Sequence, residues 1–399
     1  MSTVMVKFGE LLEYPLRSGV TVSKDRRGVG IKMINMGELF RYPRLGDVEM
    51  ALVNIDHVDA DRFLVQPGDL LFARRSLTLE GAGKCAIVNS VPTATTWESS
   101  IIRARLTRKK ANPHFYFYLF RSPLGRRLME SIVEQVAVAG VRISDLRELL
   151  VPHPSLREQD AVVDVLGVLD EKISVNESIA ITVDDLASSL YRRAVEGSGA
   201  MRSIPLGEIA DVNRVATKPK EGGMLRYVDI AAVGVGTYDW PARVPWSEAP
   251  GRARRKAFAG DTIWSTVRPN RRSHALVLDT DHELVFSTGL AVLSPRSVGP
   301  ALLYEVTRTV DFQNYLEKVA EGSAYPAVRA ERFKQAPVVL PAPEDCDKFE
   351  AVVMDLRLRS HQAKVESRTL ASLRDTLLSQ LMSGKLRVRD AEKIVEDAV

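Results

Sequence analysis

The sequence predicts an α+β chain built twice. Two mixed α/β domains are separated by two long helices that form an antiparallel coiled coil, and the halves are related as a pseudo-twofold internal repeat. Three observations predict this. Four markers recur in the same order 187 to 192 residues apart. Each half opens on short β-like runs broken by Gly, Pro and Asp. Each half closes on a long stretch whose apolar residues keep a helical spacing.

The markers come first. Gly68-Asp69 before Leu70-Leu71-Phe72-Ala73-Arg74 is echoed by Gly260-Asp261 before Thr262-Ile263-Trp264-Ser265-Thr266-Val267-Arg268. Pro152 and Pro154 are echoed by Pro341 and Pro343, Leu186 and Leu190 by Leu373 and Leu377, and Gly197 by Gly384. The β-like runs are Asp69-Phe72, Lys84-Val88 and Ser99-Leu106 in the first half, then Thr262-Val267, Ala275-Leu278 and Leu290-Leu293 in the second. The expected boundaries are 1–150 for the first mixed domain and 151–199 for the first helical region. The second mixed domain takes 200–340, and the second helical region with a C-terminal tail takes 341–399.

The helices are expected over about 156–196 and 347–382. In the first, Leu166, Leu169, Ile173, Asn176, Ala180, Val183, Ala187 and Leu190 step by threes and fours. In the second, Phe349, Leu356, Ala363, Leu370 and Leu377 recur every seven, with Val352 and Leu373 on adjoining rows. This is a coiled-coil seam, interrupted by Arg359, Glu366 and Gln380. The residues expected to hold the coiled coil and dock partners are Leu166, Leu169, Ile173, Leu186, Leu190, Leu356, Leu370, Leu373 and Leu377. A long amphipathic helix lying on a domain core would show a similar pattern. About forty residues at 1.5 Å each make a rod of roughly 60 Å.

Composition narrows the function classes. With 399 residues, 45% hydrophobic and 27% charged, the chain suits two or three folded domains. No apolar run reaches membrane-spanning length, the N-terminus lacks a signal-peptide pattern, and the two cysteines, Cys85 and Cys346, stand far apart. A cytoplasmic protein without disulfides is expected. The net charge is only +4, but it is unevenly placed. Residues 17–44 hold seven Lys/Arg against Asp25 and Glu38, and residues 243–273 hold eight against Glu248 and Asp261. Such clusters form a candidate footprint for nucleic acid, and two solvated loops would have the same composition.

Catalytic signatures are missing from the sequence. Asn112-Pro113-His114-Phe115 lacks the second proline of an adenine-methyltransferase loop. Gly81-Ala82-Gly83-Lys84-Cys85 is not a phosphate-binding loop, and Gly234 with Gly236 is explained by a turn. There is no nucleophile elbow or HExxH, and the six histidines lack metal-ligand spacing. No catalytic residue, metal site or cofactor is expected on this chain.

The run Pro152-His153-Pro154-Ser155-Leu156-Arg157-Glu158-Gln159, leading into Val168-Leu169-Asp170-Glu171-Lys172-Ile173, resembles the helices of type I restriction-modification specificity subunits. So does the C-terminal run from Leu370 to Leu386. Phe258-Ala259-Gly260-Asp261-Thr262-Ile263 and Ser265-Thr266-Val267-Arg268-Pro269-Asn270 are similar to the core of that family's target recognition domains. The resemblance covers nearly the whole chain. It departs at Ala73-Arg74-Arg75-Ser76 and at Pro343-Glu344-Asp345-Cys346-Asp347. It implies a non-catalytic subunit that binds double-stranded DNA, each domain reading one half of a two-part target. The helices would set the unread spacer and dock two methyltransferase subunits. Those subunits would carry S-adenosylmethionine, and motor-nuclease subunits would be further partners.

On that reading the 268–272 loop, with Arg268, Asn270, Arg271 and Arg272, is the first candidate for base readout, since Arg pairs with guanine and Asn with adenine. Arg74, Arg75 and Ser76 hold the equivalent place in the first half. Arg252, Arg254, Arg255 and Lys256 are phosphate candidates, with Lys24, Arg26 and Arg27 their weaker counterparts. A solvated turn remains open for each loop. Gly68-Asp69 and Gly260-Asp261 are expected to be structural, and Tyr325 and Arg329 to pack, with a DNA-facing role for these two left open. Two other classes stay open as well: an enzyme acting on DNA, methyltransferase or nuclease, and a coiled-coil scaffold without DNA.

Overall fold

Each β-like run that follows a Gly-Asp pair is a strand, and the pair builds the turn that starts it. In the computed structural model, which describes residues 4–55, 60–135, 139–197 and 202–399, Gly68 and Gly260 sit at φ +95° and +96°. Only glycine adopts that conformation without strain. The following aspartate ties the turn: Asp69 Oδ2 accepts from the Gln66 amide, and Asp261 Oδ2 from the Phe258 amide, both at 2.8 Å. The expected structural role of these pairs is what the structure shows. The proposed junction at 199–200 lies outside the described residues.

Long-range contacts group the chain into two units, Met1–Ser174 with Ser367–Val399, and Val175–Glu366. The strands of the first unit form a sheet in the order Arg17–Ser18, Ile101–Ala104, Leu70–Ala73, Cys85–Val88, Arg44–Leu45. A second sheet runs Ala51–Val53, Arg27–Ile34, Thr95–Trp97, its last pair parallel. The second unit repeats the plan. One sheet runs Ala210–Val212, Leu290–Pro295, Thr262–Ser265, His274–Leu276. The other runs Arg243–Pro245, Met224–Val228, Leu284–Ser287, Ala253–Arg255, again with one parallel pair. In each unit an opening strand pairs antiparallel with the strand that precedes a long helix: Val4–Lys7 with Leu150–His153, and Arg202–Pro205 with Pro337–Leu340. The fold is mixed α/β, and the two units share part of their strand order: the first unit's two sheets have five and three strands and the second's four each, and the first adds a sheet of Val133–Gln135, Ala139–Val141 and Arg75–Ser76.

Apolar burial attaches both long helices, Leu156–Gly197 and Pro343–Met382, to each unit. In the first unit Leu166 and Leu169 share a core with Leu370, Leu377, Phe72 and Phe120. In the second, Ala187 and Tyr191 share one with Phe349, Val353, Trp264 and Phe312. Fully burying side chains of this size contributes about 1.5–3 kcal/mol each, so the helices are part of each core.

The expected seam needs three corrections. Leu186 is 43% exposed, because the buried row steps from Val183 to Ala187 and Tyr191. Leu190 and Ile173 are half-buried yet still pack on the cores, as does Leu373. Leu356 is also half-buried: around it the buried face is made by Val353, Arg357 and Ser360, spaced by four and three, so a polar pair takes the place beside it. The second long helix begins at Pro343, four residues before the expected start, with proline in the first turn followed by Glu344 and Asp345. The tail after it contains a further helix, Val388–Glu396, which buries Ala391 and Val395 in the first unit's core.

Candidate nucleic-acid interface

In the second unit the strand Thr262–Ser265 runs out into a loop of unusual backbone. Arg268 and Arg272 both take left-handed φ values, 52° and 55°, on either side of the single 3-10 turn Pro269–Arg271. Left-handed non-glycine residues cost on the order of 1 kcal/mol each and persist only where neighbours hold them. Here the Arg268 amide donates to the Pro326 carbonyl at 2.7 Å, and the Arg271 and Arg272 amides donate to the carbonyls of Arg268 and Pro269 at 2.9 Å. Beneath the loop, His274 Nδ1 lies 2.6 Å from the Arg272 carbonyl. A carbonyl can only accept, so Nδ1 carries the proton. The imidazole stacks on Trp264, with ring centroids 4.6 Å apart, and burial pushes its pKa down to about 4. A neutral, buried histidine therefore props the loop.

The consequence is display. Asn270, Arg271 and Arg272 are exposed, and among the described residues their side chains make no hydrogen bond or ion pair. Arg268 is half-buried, its guanidinium 4.7 Å from the centre of the Tyr325 ring. Tyr325 was expected to pack, but it is 70% exposed on the segment that the Glu321↔Ala327 bridge closes beside Val267. Arg329 is paired with Glu321 at 2.9 Å.

The neighbouring basic cluster divides. Arg252 is exposed. Arg254 donates to its neighbour's carbonyl, that of Ala253, at 2.8 Å, while Arg255 reaches the Thr288 carbonyl at 3.5 Å and leaves a buried Nε unpartnered. Lys256 corrects the expectation. Its ammonium donates to the carbonyls of His282 and Leu284 at 2.6 and 2.7 Å, and burial lowers its pKa. It ties one strand end to another and is not displayed. The two basic segments meet on one turn: the Thr288 amide donates to the Arg252 carbonyl and the Thr266 amide to the Gly289 carbonyl, both at 2.9 Å. Three cations missed in the sequence join them. Arg214, Lys218 and Lys220 are exposed on a stretch that runs alongside Ala253–Arg255, with the Thr217 amide on the Arg254 carbonyl at 2.8 Å. Their signal was available, since residues 214–220 hold three cations and no acid.

The first unit presents less. Arg75 and Ser76 form a short strand against Ala139–Val141. Arg74 is half-buried with Nη1 3.3 Å from the Ser18 hydroxyl, and the Ser76 hydroxyl accepts from the Thr78 amide at 3.1 Å. Ser76 is thus occupied by its own turn, and Arg75 is the displayed member of the trio. The turn beyond it is pinned from below, where Arg126 donates to the carbonyls of Leu79, Glu80 and Ala82 at 2.6, 3.0 and 2.9 Å. At its tip stands Leu77, 95% exposed. Lys24, Arg26 and Arg27 are all exposed, on the 3-10 turn Lys24–Arg26 and at the start of the strand Arg27–Ile34.

Among the described residues no group of three His, Cys, Asp or Glu side chains is placed to hold a metal ion. Both cysteines are free, and burial pushes the Cys85 thiol up, away from reactivity. Among the described residues no helix is long and apolar enough to cross a membrane.

No family model matches the chain. In sequence it is similar to the type I restriction enzyme EcoKI specificity subunit of Escherichia coli K12, 27% identical over 189 residues, 46% of this chain and 40% of that protein. It is also similar to the putative type I restriction enzyme MjaX specificity subunit of Methanocaldococcus jannaschii, 22% identical over 205 residues, 49% of this chain and 47% of that protein. The matched stretches span less than half the length of either relative. In structure the chain is similar to the S subunit of a type I restriction-modification system from M. genitalium, with a TM-score of 0.55 and 17% identity over 96% of both chains. By sequence over just under half its length, and by fold over nearly all of it, this chain resembles the specificity subunits of type I restriction enzymes.

Proposed function

We propose that this chain is the DNA-recognition subunit of a type I restriction-modification complex. Each unit displays a loop to one half of a two-part DNA target. The two long helices pair as an antiparallel coiled coil, related by the pseudo-twofold repeat, that sets the spacer and docks two methyltransferase subunits. The observation that carries this reading is the 268–272 loop, where three exposed polar side chains are held out on a strained backbone that a buried histidine supports. Guanidinium and amide groups presented this way can make bidentate bonds to base edges. Arg252, Arg214 and Lys218 nearby suit phosphate contacts, which supply salt-dependent affinity but little sequence information. The chain itself would neither methylate nor cut. S-adenosylmethionine would sit on the methyltransferase subunits, and motor-nuclease subunits would join the complex in the cytoplasm.

The test is methylation mapping of the host genome with and without this gene. Loss of one two-part adenine-methylated motif is the expected result. If every motif persists while a partner methyltransferase subunit is expressed, the reading fails.

A further inference from the structure

The long helices carry an asymmetry that the repeat does not explain. Four pairs of buried positions coincide at an offset of 187 residues: Val162 with Phe349, Leu166 with Val353, Val183 with Leu370, and Tyr191 with Leu378. The same offset relates the caps of the preceding domain helices, Ser122 and Thr309. Positions can therefore be matched one to one, and at one polar position, Asp170 against Arg357, the charge is inverted.

In the first unit, Asp170 on the first long helix is the centre of a polar cluster. Its carboxylate accepts from Arg44 at 2.5 Å, from the Tyr118 hydroxyl at 2.6 Å, and from Arg374 on the second long helix at 2.8 Å. In the second unit the position equivalent to Asp170 is Arg357, on the second long helix. Its guanidinium binds Asp184 of the first long helix at 2.7 Å, and also Glu305, which stands where Tyr118 stands in the first unit. Arg308 closes this cluster, bound to Asp184 and, at 3.1 Å, to Glu305. So the first long helix supplies the carboxylate to both clusters and the second supplies the arginine to both. Arg357 and Glu305 are almost wholly buried, and Asp170 nearly so.

We propose that these two clusters are a pairing code, making the partner of each half the other half of the chain and not a second copy of itself. The offset shows what like pairing would do. In a first–first pair, the second copy would place Ala187 where Arg374 stands and Asp184 one turn away, facing Asp170 with a second carboxylate. In a second–second pair, Arg374 of the copy, with its neighbour Asp375, would approach Arg357 and Arg308, leaving three guanidinium groups for the buried carboxylate of Glu305 and the exposed one of Asp375. Removing a partner from a desolvated charge is costly because water cannot replace it, and like charges compound that cost. The apolar positions that repeat between the halves would not discriminate.

This proposal does not rest on DNA recognition, and its test involves no DNA. The intact chain, carrying a protease site inserted at position 199, is folded and then cut. It is incubated in mild denaturant to allow exchange, and weighed by native mass spectrometry. The expected product is first–second pairs alone. First–first and second–second pairs in statistical proportion would overturn the code, and so would dissociation into single halves. A second measurement uses the uncut chain. Asp170→Arg should lower the first unit's unfolding midpoint by roughly 5 °C, by setting a third cation beside Arg44 and Arg374. Adding Arg374→Asp should recover at least half of that loss. A double variant no more stable than the single one would overturn the proposal.

Discussion

His274 makes stability of the second unit a function of pH in a window where few other groups titrate. Its imidazole is stacked on Trp264, hydrogen-bonded through Nδ1 to the Arg272 carbonyl, and left with no partner at Nε2. Burial is the main cause of its depressed pKa, about 4 against 6.5 for a free histidine, with Arg308 and Arg357 adding to it. Between those two values the unfolded chain binds a proton that the folded chain refuses, so stability falls as pH falls from 6.5 toward 4. From pH 7 to pH 5 this difference amounts to about 2 kcal/mol. For a unit of this size that lowers the unfolding midpoint by roughly 5 °C. His114 and His153 lie in the first unit and are also depressed by burial, so the informative comparison is wild type against His274→Gln. Glutamine can still donate to the Arg272 carbonyl but does not titrate. Thermal unfolding at pH 7, 6 and 5 should show the second unit's midpoint falling more steeply in the wild type. Equal slopes in the two proteins would refute the reasoning, and with it the view of His274 as a neutral prop.

Three further outcomes separate display from scaffolding. Arg271→Ala in the assembled complex should lose about 10-fold or more in discrimination at one base pair of one half-site, from about 1–3 kcal/mol per bidentate contact, measured by competition with single-base DNA variants. Arg252→Ala should reduce the slope of log affinity against log salt by about one, while Lys256→Met should leave that slope unchanged and lower the unfolding midpoint, because Lys256 serves two backbone carbonyls. Asp69→Asn should destabilise far more than Asp261→Asn. Asp69 receives Arg105 in two bonds of 2.7 and 2.8 Å, whereas burial already raises the pKa of Asp261 toward its neutral form, and urea unfolding of the two variants compares them directly.

Much of the fold was legible because it is encoded locally and twice. The Gly-Asp turns state their own geometry, and the strands after them alternate with apolar partners whose spacing survives in both halves. The seam was legible wherever apolar residues make it, from Leu166 through Val183. It was lost at Leu356, where Arg357 and Ser360 take the buried face. A buried guanidinium looks like surface in a sequence, and only the carboxylates brought to it by the fold, Asp184 and Glu305, reveal otherwise. The helix Val388–Glu396 was missed for another reason: it is short and mostly charged, and only two of its residues, Ala391 and Val395, are buried. The site divides along the same line. Cation density pointed to both basic clusters, but not to which members are spent on carbonyls, as Lys256 is. Nor could spacing show that Tyr325 stands exposed beside Arg268, since their contact depends on the bridge between Val267 and Ala327.

What the repeat keeps and what it changes bear on the proposed function. The turn, the strand it starts and the closing strand pair are kept in both units, as are four of the buried positions on the long helices. The loop that leaves the strand is not. In the second unit it is a left-handed, 3-10, left-handed turn resting on His274 and lined by Arg and Asn. In the first it is a strand and a serine-capped turn, pinned by Arg126 and tipped by Leu77. A repeat that served only to build a scaffold would have no reason to conserve the support and remake the displayed edge. Two loops of different backbone and different chemistry on equivalent strands cannot match the same base edges, so a DNA target read by both must differ between its halves. The inverted charges at Asp170 and Arg357 act in the same direction. On the pairing proposed above they would keep two unlike halves in one assembly, where pairing of like halves would produce a symmetric one.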